Sequence, residues 1–128
     1  MDVSIVIVNY NTKDLVLGCI NSIIEKTVNI SYEIILADNN SSDGSVSAVK
    51  EKFPNVKILT LPENIGFGRA NNEAVKNALG KYIFLLNPDT LLINNAAKIL
   101  FDFMENHTEA GAAGGNLFDR EMNYAHSF

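Results

Sequence analysis

Four polar stretches, each following an apolar run, hold most of the side chains able to do chemistry: VNYN (8–11), ADNNSSDG (37–44), ENIGFGRANN (63–72) and LNPDT (86–90). In the last, Pro88 offers no backbone donor and pushes Asn87 toward an extended conformation, so a strand stops there with Asp89 at its tip. A carboxylate so placed is a turn residue, or it is a hard oxygen ligand for Mg²⁺ or Mn²⁺ bridging a diphosphate. Asp38 closes an earlier apolar run. There it could accept a hydrogen bond from a pyrimidine ring N–H while backbone groups of Val8 and Asn9 hold the other base edge, and Tyr10 offers an aromatic face for stacking. The same stretch also reads as an Asx-rich turn, with Asp43 and Gly44 as turn and cap residues. ENIGFGRANN sets Gly66, Gly68 and Arg69 at a helix N-terminus, where free N–H groups and the helix dipole favour an anion and a guanidinium can fork onto phosphate oxygens. Taken alone it is a glycine-rich connection with a solvated arginine. Its GxG lacks a third glycine and does not follow the first strand, so it matches a dinucleotide fingerprint poorly. Three strand tips that together offer a base acceptor, a phosphate site and a metal ligand favour the chemical reading.

Those tips lie on one rim only if the apolar runs form a parallel sheet. VSIVIV (3–8) is β-branched and apolar throughout, the pattern of a strand covered on both faces. Asn11 or Thr12 can cap a following helix whose stripe is Val16, Ile20, Ile23 and Ile24, ending near Lys26. The pattern repeats with YEIILA (32–37) and a short helix carrying Val46, Val49 and Phe53. Next come VKILTL (56–61) and a helix with Ala70, Ala74, Ala78 and Leu79, for which Gly80 is the expected C-cap. After KYIFLL (81–86), a helix over about 95–106, capped by Asn94 or Asn95, should bury Ile99, Leu100 and Phe103. AGAAGG (110–115) reads as one more strand. Strands alternating with helices imply right-handed βαβ units and an α/β fold with a doubly wound, mostly parallel sheet, whose ligands bind beyond the carboxyl ends of the strands.

Composition bounds the partners. The 128 residues, 47% hydrophobic and 20% charged, fit one domain with a real core. Ten basic against fifteen acidic residues, net charge −5 and no Lys/Arg block argue against nucleic acid as the main partner. The lone Cys19 cannot form an internal disulfide and falls in a helical apolar pattern. It is expected to fill the core, in a reducing, cytoplasmic compartment. The opening apolar run is too short for a signal peptide or a membrane span.

With SIVIVNYN (4–11), ADNNSSDGS (37–45), ENIGFGRANN (63–72) and LLNPDT (85–90) in order, the chain resembles the N-terminal nucleotide-sugar-binding half of family-two glycosyltransferases, with the GT-A fold. The resemblance implies that Asp38 hydrogen-bonds the uracil or thymine ring, that Tyr10 lies against it, and that the diphosphate and sugar are bordered by Asn64, Gly66, Arg69, Asn72 and Asn87. Asp89 falls on the last acidic position of the family's DxD motif, the one expected to hold Mg²⁺ or Mn²⁺. Asn87 stands where many members have Asp, a variant similar to bacterial rhamnosyltransferase-type members that favours dTDP-rhamnose as donor. The implied reaction is inverting transfer from a dTDP- or UDP-sugar to a saccharide or lipid-linked acceptor in cell-surface polysaccharide synthesis, with peripheral membrane association open to the full enzyme.

The family's catalytic base, part of an acidic pair well downstream, has no counterpart before Phe128; Asp119, Glu121 and His126 are not identified with it. The chain is therefore expected to be a truncated transferase. Its first rival is a non-catalytic nucleotide-sugar-binding module. A receiver-like signalling domain fits less well, because no acidic cluster follows the first strand's tip. Asp38, as a rim carboxylate, is expected to serve recognition and contribute little to the fold.

Overall fold

The run VSIVIVN becomes β1 (Val3–Asn9), buried along its whole length as a strand covered on both faces must be. The computed structural model describes residues 1–125. β1 pairs in parallel with β2 (Tyr32–Asp38), and β3 (Lys57–Thr60) extends the sheet beyond β2. β4 (Tyr82–Leu85) lies on the opposite side of β1, giving the order β3-β2-β1-β4. The expected doubly wound α/β architecture is what the chain adopts.

Alternation along β1 builds two core layers. Val3, Ile5 and Ile7 face α1 (Lys13–Lys26) and α2 (Ser45–Lys52), packing on Val16, Cys19, Ile20, Ile23 and Val49. Val6 and Val8 face α3 (Phe67–Val75), which meets the sheet through Ala70 and Ala74, small enough for close approach. α4 (Ala96–Asn106) joins the first layer through Ala96, Ala97 and Phe101. With that phase Ile99 and Phe103 are exposed, against the expectation that they are buried. Ile24 and Leu79 are likewise exposed, since Cys19 takes the inward place on α1 and α3 ends before Leu79. The 110–115 run forms no strand; a short antiparallel pair, β5 (Leu117–Phe118) and β6 (Tyr124–Ala125), follows it. No helix among the described residues is long and apolar enough to cross a membrane.

Gly80 is not a C-cap, because α3 ends at Val75 with Lys76 as its cap. A Cβ on Gly80 would come within 2.3 Å of the Ser4 backbone nitrogen, so the connection into β4 crosses β1 at a distance only glycine permits. Gly80 N–H donates to Ser4 Oγ (2.8 Å), which donates to Glu33 Oε1 (2.5 Å), and Leu79 N–H donates to the same oxygen (2.7 Å). Gly80→Ala is expected to cost roughly 1–3 kcal/mol through overpacking against backbone, read as a lowered midpoint in urea unfolding. An unchanged midpoint would mean that the crossing is looser than this.

Candidate functional site

The first two connections wind from β1 outward to β3, and the third returns across the sheet to β4, so the strand order reverses between β1 and β4. Ligands of open parallel sheets bind beyond the strand tips at such a reversal. Register brings the tips together: Asn9 pairs with Asp38 and Asp38 with Thr60, while Leu86 N–H donates to Val6 O, carrying β4 toward Asn87 and Asp89.

Asp38 is only 2% exposed and is fully engaged inside the protein. Oδ1 accepts from Asn9 Nδ2 (2.9 Å) and Ser41 Oγ (2.7 Å), and Oδ2 accepts from Ser41 N–H (2.8 Å). Ser41 Oγ in turn accepts from Asn11 N–H (2.9 Å), and Thr12 Oγ1 donates to Asn9 Oδ1 (2.5 Å). The β1 and β2 tips are thus one polar unit, and Asp38 is a structural centre of it as well as a rim residue, contrary to the sequence expectation. A carboxylate has about four acceptor positions, so one on Oδ2 is left unfilled by these bonds. Tyr10, 49% exposed, stands beside this unit with its ring accessible.

Thr12 takes the N-cap position of α1 as expected, but its side chain makes no capping bond; Asp43 supplies the side-chain acceptor. Its Oδ2 accepts from Lys13 N–H (3.0 Å) and its Oδ1 from Ser45 N–H (3.0 Å) and the Ser45 hydroxyl, so one carboxylate serves the N-termini of α1 and α2. The Ser45 hydroxyl contributes most to holding Asp43 below the ordinary carboxylate range. Asp43→Ala is expected to lower stability by about 1–2 kcal/mol, a typical capping loss, measured by thermal melting at neutral pH. Melting unchanged at neutral pH would assign those caps to water.

On the other side of β2, the loop into α3 turns at Gly66, whose φ of +86° is a conformation L side chains rarely adopt. Asn64 Oδ1 accepts from Gly66 N–H (2.9 Å), so its side chain shapes the turn itself. No side chain caps α3, and the N–H groups of Phe67, Gly68 and Arg69 have no protein acceptor among the described residues. Arg69 and Asn72 are exposed, and among the described residues Arg69 has no carboxylate partner.

LNPDT is a tight turn: Asn87 O accepts from Thr90 N–H (3.1 Å) and Thr90 Oγ1 (2.7 Å) around Pro88 and Asp89. The turn is closed by threonine. Asp89 is exposed, and its carboxylate accepts no hydrogen bond among the described residues. Its charge is therefore not spent on the turn's backbone, as that of a turn aspartate ordinarily is.

The sequence pattern of the family described as glycosyl transferase family 2 matches residues 4–125, almost the whole described chain. The chain belongs to glycosyl transferase family 2. Over 108 residues it is 34% identical to a poly(ribitol-phosphate) beta-glucosyltransferase of Bacillus spizizenii, covering 80% of this chain and 17% of that protein. An N-acetylglucosaminyl-diphospho-decaprenol L-rhamnosyltransferase of Mycobacterium tuberculosis is 30% identical over 98 residues, covering 67% of this chain and 32% of that one. The structure of S. aureus TarS 1-349 in complex with UDP-GlcNAc superposes with a TM-score of 0.74 at 26% identity, over 84% of this chain and 32% of TarS 1-349. This family 2 domain spans less than a third of the length of these relatives.

Two members of the rim escaped the sequence reading, Ser41 and Asn39. Both sit in the DNNS run, where hydrogen-bonding turn residues are the norm and nothing in the residue types marks which of them clamps a neighbouring segment. Other candidates fall away from the rim. Asp119 Oδ1 accepts from Glu121 and Asn123 N–H groups (2.9 Å each) and so closes the β5 to β6 turn, and His126 lies outside the described residues. Cys19 is core filler as expected; burial pushes its thiol up to about 11.

Proposed function

We propose that this family 2 domain binds the nucleotide-diphospho-sugar donor of a glycosyltransferase, a dTDP- or UDP-sugar. The observation that carries the reading is the supply of unused groups at one sheet reversal: an accessible Tyr10 ring, the open N–H groups of α3 with Arg69, and a free Asp89. The pyrimidine would lie on Tyr10 with its ring N–H on Asp38 and its other edge on backbone of Val8 and Asn9. The diphosphate would take the first turn of α3 and Arg69, bordered by Asn64, Gly66, Asn72 and Asn87. Among the described residues no three His, Cys, Asp or Glu side chains cluster, so Asp89 fits a cation that takes its other ligands from phosphate and water, as Mg²⁺ and Mn²⁺ commonly do. Such a cation, when bound, would screen the leaving diphosphate. Arg69 and the α3 N–H groups would stabilise the same charge as a saccharide or lipid-linked hydroxyl attacks the anomeric carbon from the opposite side, with inversion.

Titration with UDP and dTDP, each with and without Mn²⁺, tests the donor site, and GDP serves as the base control. Tight binding of a pyrimidine diphosphate over GDP is expected. Absence of any nucleotide binding would sink the reading. Asp89→Asn keeps the turn and loses the charge a hard cation requires, so Mn²⁺ should no longer strengthen binding. Equal Mn²⁺ enhancement in that variant would return Asp89 to the turn alone.

A further inference from the structure

We infer that Asn39 is a positioning residue that sets the diphosphate half of the site against the base half, an inference that rests on the donor-site reading above. Asn39 is the first residue past β2 and only 3% exposed. Its main chain belongs to the base side, since its N–H donates to Asn9 O (2.9 Å), continuing the ladder next to Asp38. Its side chain belongs to the other side. Oδ1 accepts from Ile65 N–H (3.2 Å) and Nδ2 donates to Gly66 O (3.3 Å), so one carboxamide holds a donor and an acceptor of the loop into α3. Gly66 O also accepts from Ala70 N–H (3.1 Å), the first main-chain bond of α3, so the same oxygen joins Asn39 to the turn that carries Arg69.

The packing beneath supports a fixed placement. Ile65 packs against the layer of Val6, Val8, Ile35 and Ala37, which gives the loop an apolar footing but no direction along the sheet. Direction comes from the carboxamide, whose donor and acceptor fit only one arrangement of the Ile65 and Gly66 groups. Ser41 and Asp43 tie the first two loops to each other, and Asn64 bonds Gly66 only within its own loop, while Asn39 is the rim side chain among the described residues that reaches the 65–66 backbone from the tip of another strand. Removing the carboxamide leaves the base unit of Asn9, Asp38 and Ser41 whole and frees the phosphate loop to drift.

The test compares UMP and UDP, both with Mn²⁺, by calorimetric titration of the 128-residue chain and of Asn39→Ala and Asn39→Asp. Loss of two neutral hydrogen bonds should reduce the UDP-over-UMP affinity ratio about tenfold in Asn39→Ala, with UMP affinity within about twofold of the parent. Asn39→Asp keeps an acceptor for Ile65 N–H but turns a charged oxygen on Gly66 O, so its ratio should fall at least as far as that of the alanine variant, and urea unfolding of both variants identifies the one whose folded protein carries the test. A merely structural role would lower the affinities for UMP and UDP together and leave their ratio unchanged, and that result would overturn the inference. A parallel fall caused by loss of the base contact would do the same. If the parent chain binds neither nucleotide, the donor-site reading itself fails and the inference falls with it. A parent that binds UDP, beside variants with its full ratio, removes Asn39 alone.

Discussion

Asp38→Ala is expected to lose about 4 kcal/mol of stability and, in the fraction that remains folded, most of its pyrimidine nucleotide affinity. The stability loss follows from what the carboxylate leaves behind. Asn9 Nδ2, Ser41 N–H and Ser41 Oγ all donate to it within 2.9 Å, at a position 2% exposed, where water cannot easily replace an acceptor. Hydrogen bonds to a charged group are worth roughly 1.5–3 kcal/mol each and do not add fully when they share one acceptor. Asp38→Asn separates the two effects. An amide in the same place must point its NH₂ at the Asn9 amide and Ser41 hydroxyl or at the Ser41 N–H, so one donor pair is always opposed. It should be destabilised by less than the alanine variant. Urea unfolding of the three proteins measures the ladder, and UDP titration below the unfolding range measures recognition. A fully stable Asp38→Ala would mean that the Asn9 and Ser41 groups find other partners, and a fully stable variant that also bound UDP like the parent would remove Asp38 from the site.

The sheet was legible because its strands carry their own signal. VSIVIV and YEIILA are apolar on both faces, and only a parallel sheet covered by helices buries such runs. The rim was legible for a related reason: at Pro88 and Gly66 the residue types force the chain to turn, and the polar groups accumulate where it turns. The helix phases were harder. α4 carries Ala96, Ala97, Ile99, Leu100, Phe101 and Phe103, so more than one face is apolar, and the pattern alone does not say that Ala97 takes the inward place while Ile99 and Phe103 stay exposed. Gly80 was misread as a cap because a glycine after a helix usually is one. Its real constraint, the Ser4 backbone, lies far back in the sequence, and no local pattern encodes it. Asp38 shows the same limit in the site. Its residue type announces a ligand group; the two Ser41 donors are local to its own turn, while the third, Asn9 Nδ2, comes from the tip of β1 and only the pairing of the strands brings it in.

Glu33→Ala is expected to cost about 4 kcal/mol, although Glu33 touches no part of the proposed donor site. On β2 its side chain is nearly buried, and it receives Ser4 Oγ (2.5 Å), Leu79 N–H (2.7 Å) and the Lys57 ammonium (2.5 Å). Lys57 is half-exposed, so its share is small, and the larger loss is the acceptor for two groups that water reaches poorly. Those groups fasten the connection that lays β4 beside β1, and β4 leads into Asn87 and Asp89. Burial pushes the Glu33 carboxyl up, and hydrogen bonds from Lys57, Ser4 and Leu79 outweigh it, so its native value lies below the ordinary 4.5. The unfolded chain therefore binds more protons in acid than the native one does. The stability from this group is complete above the ordinary glutamate value and is lost as the pH falls through the depressed native value. Melting temperature should accordingly drop as the pH is lowered below the ordinary glutamate value of 4.5, and Glu33→Gln, which keeps an acceptor but has no proton to take up, should show a shallower drop. Equal acid slopes in the parent and Glu33→Gln would assign the acid sensitivity to Asp43 and the other depressed carboxylates. A Glu33→Ala protein with the parent's midpoint at neutral pH would show that packing at Gly80 alone holds β4 in register.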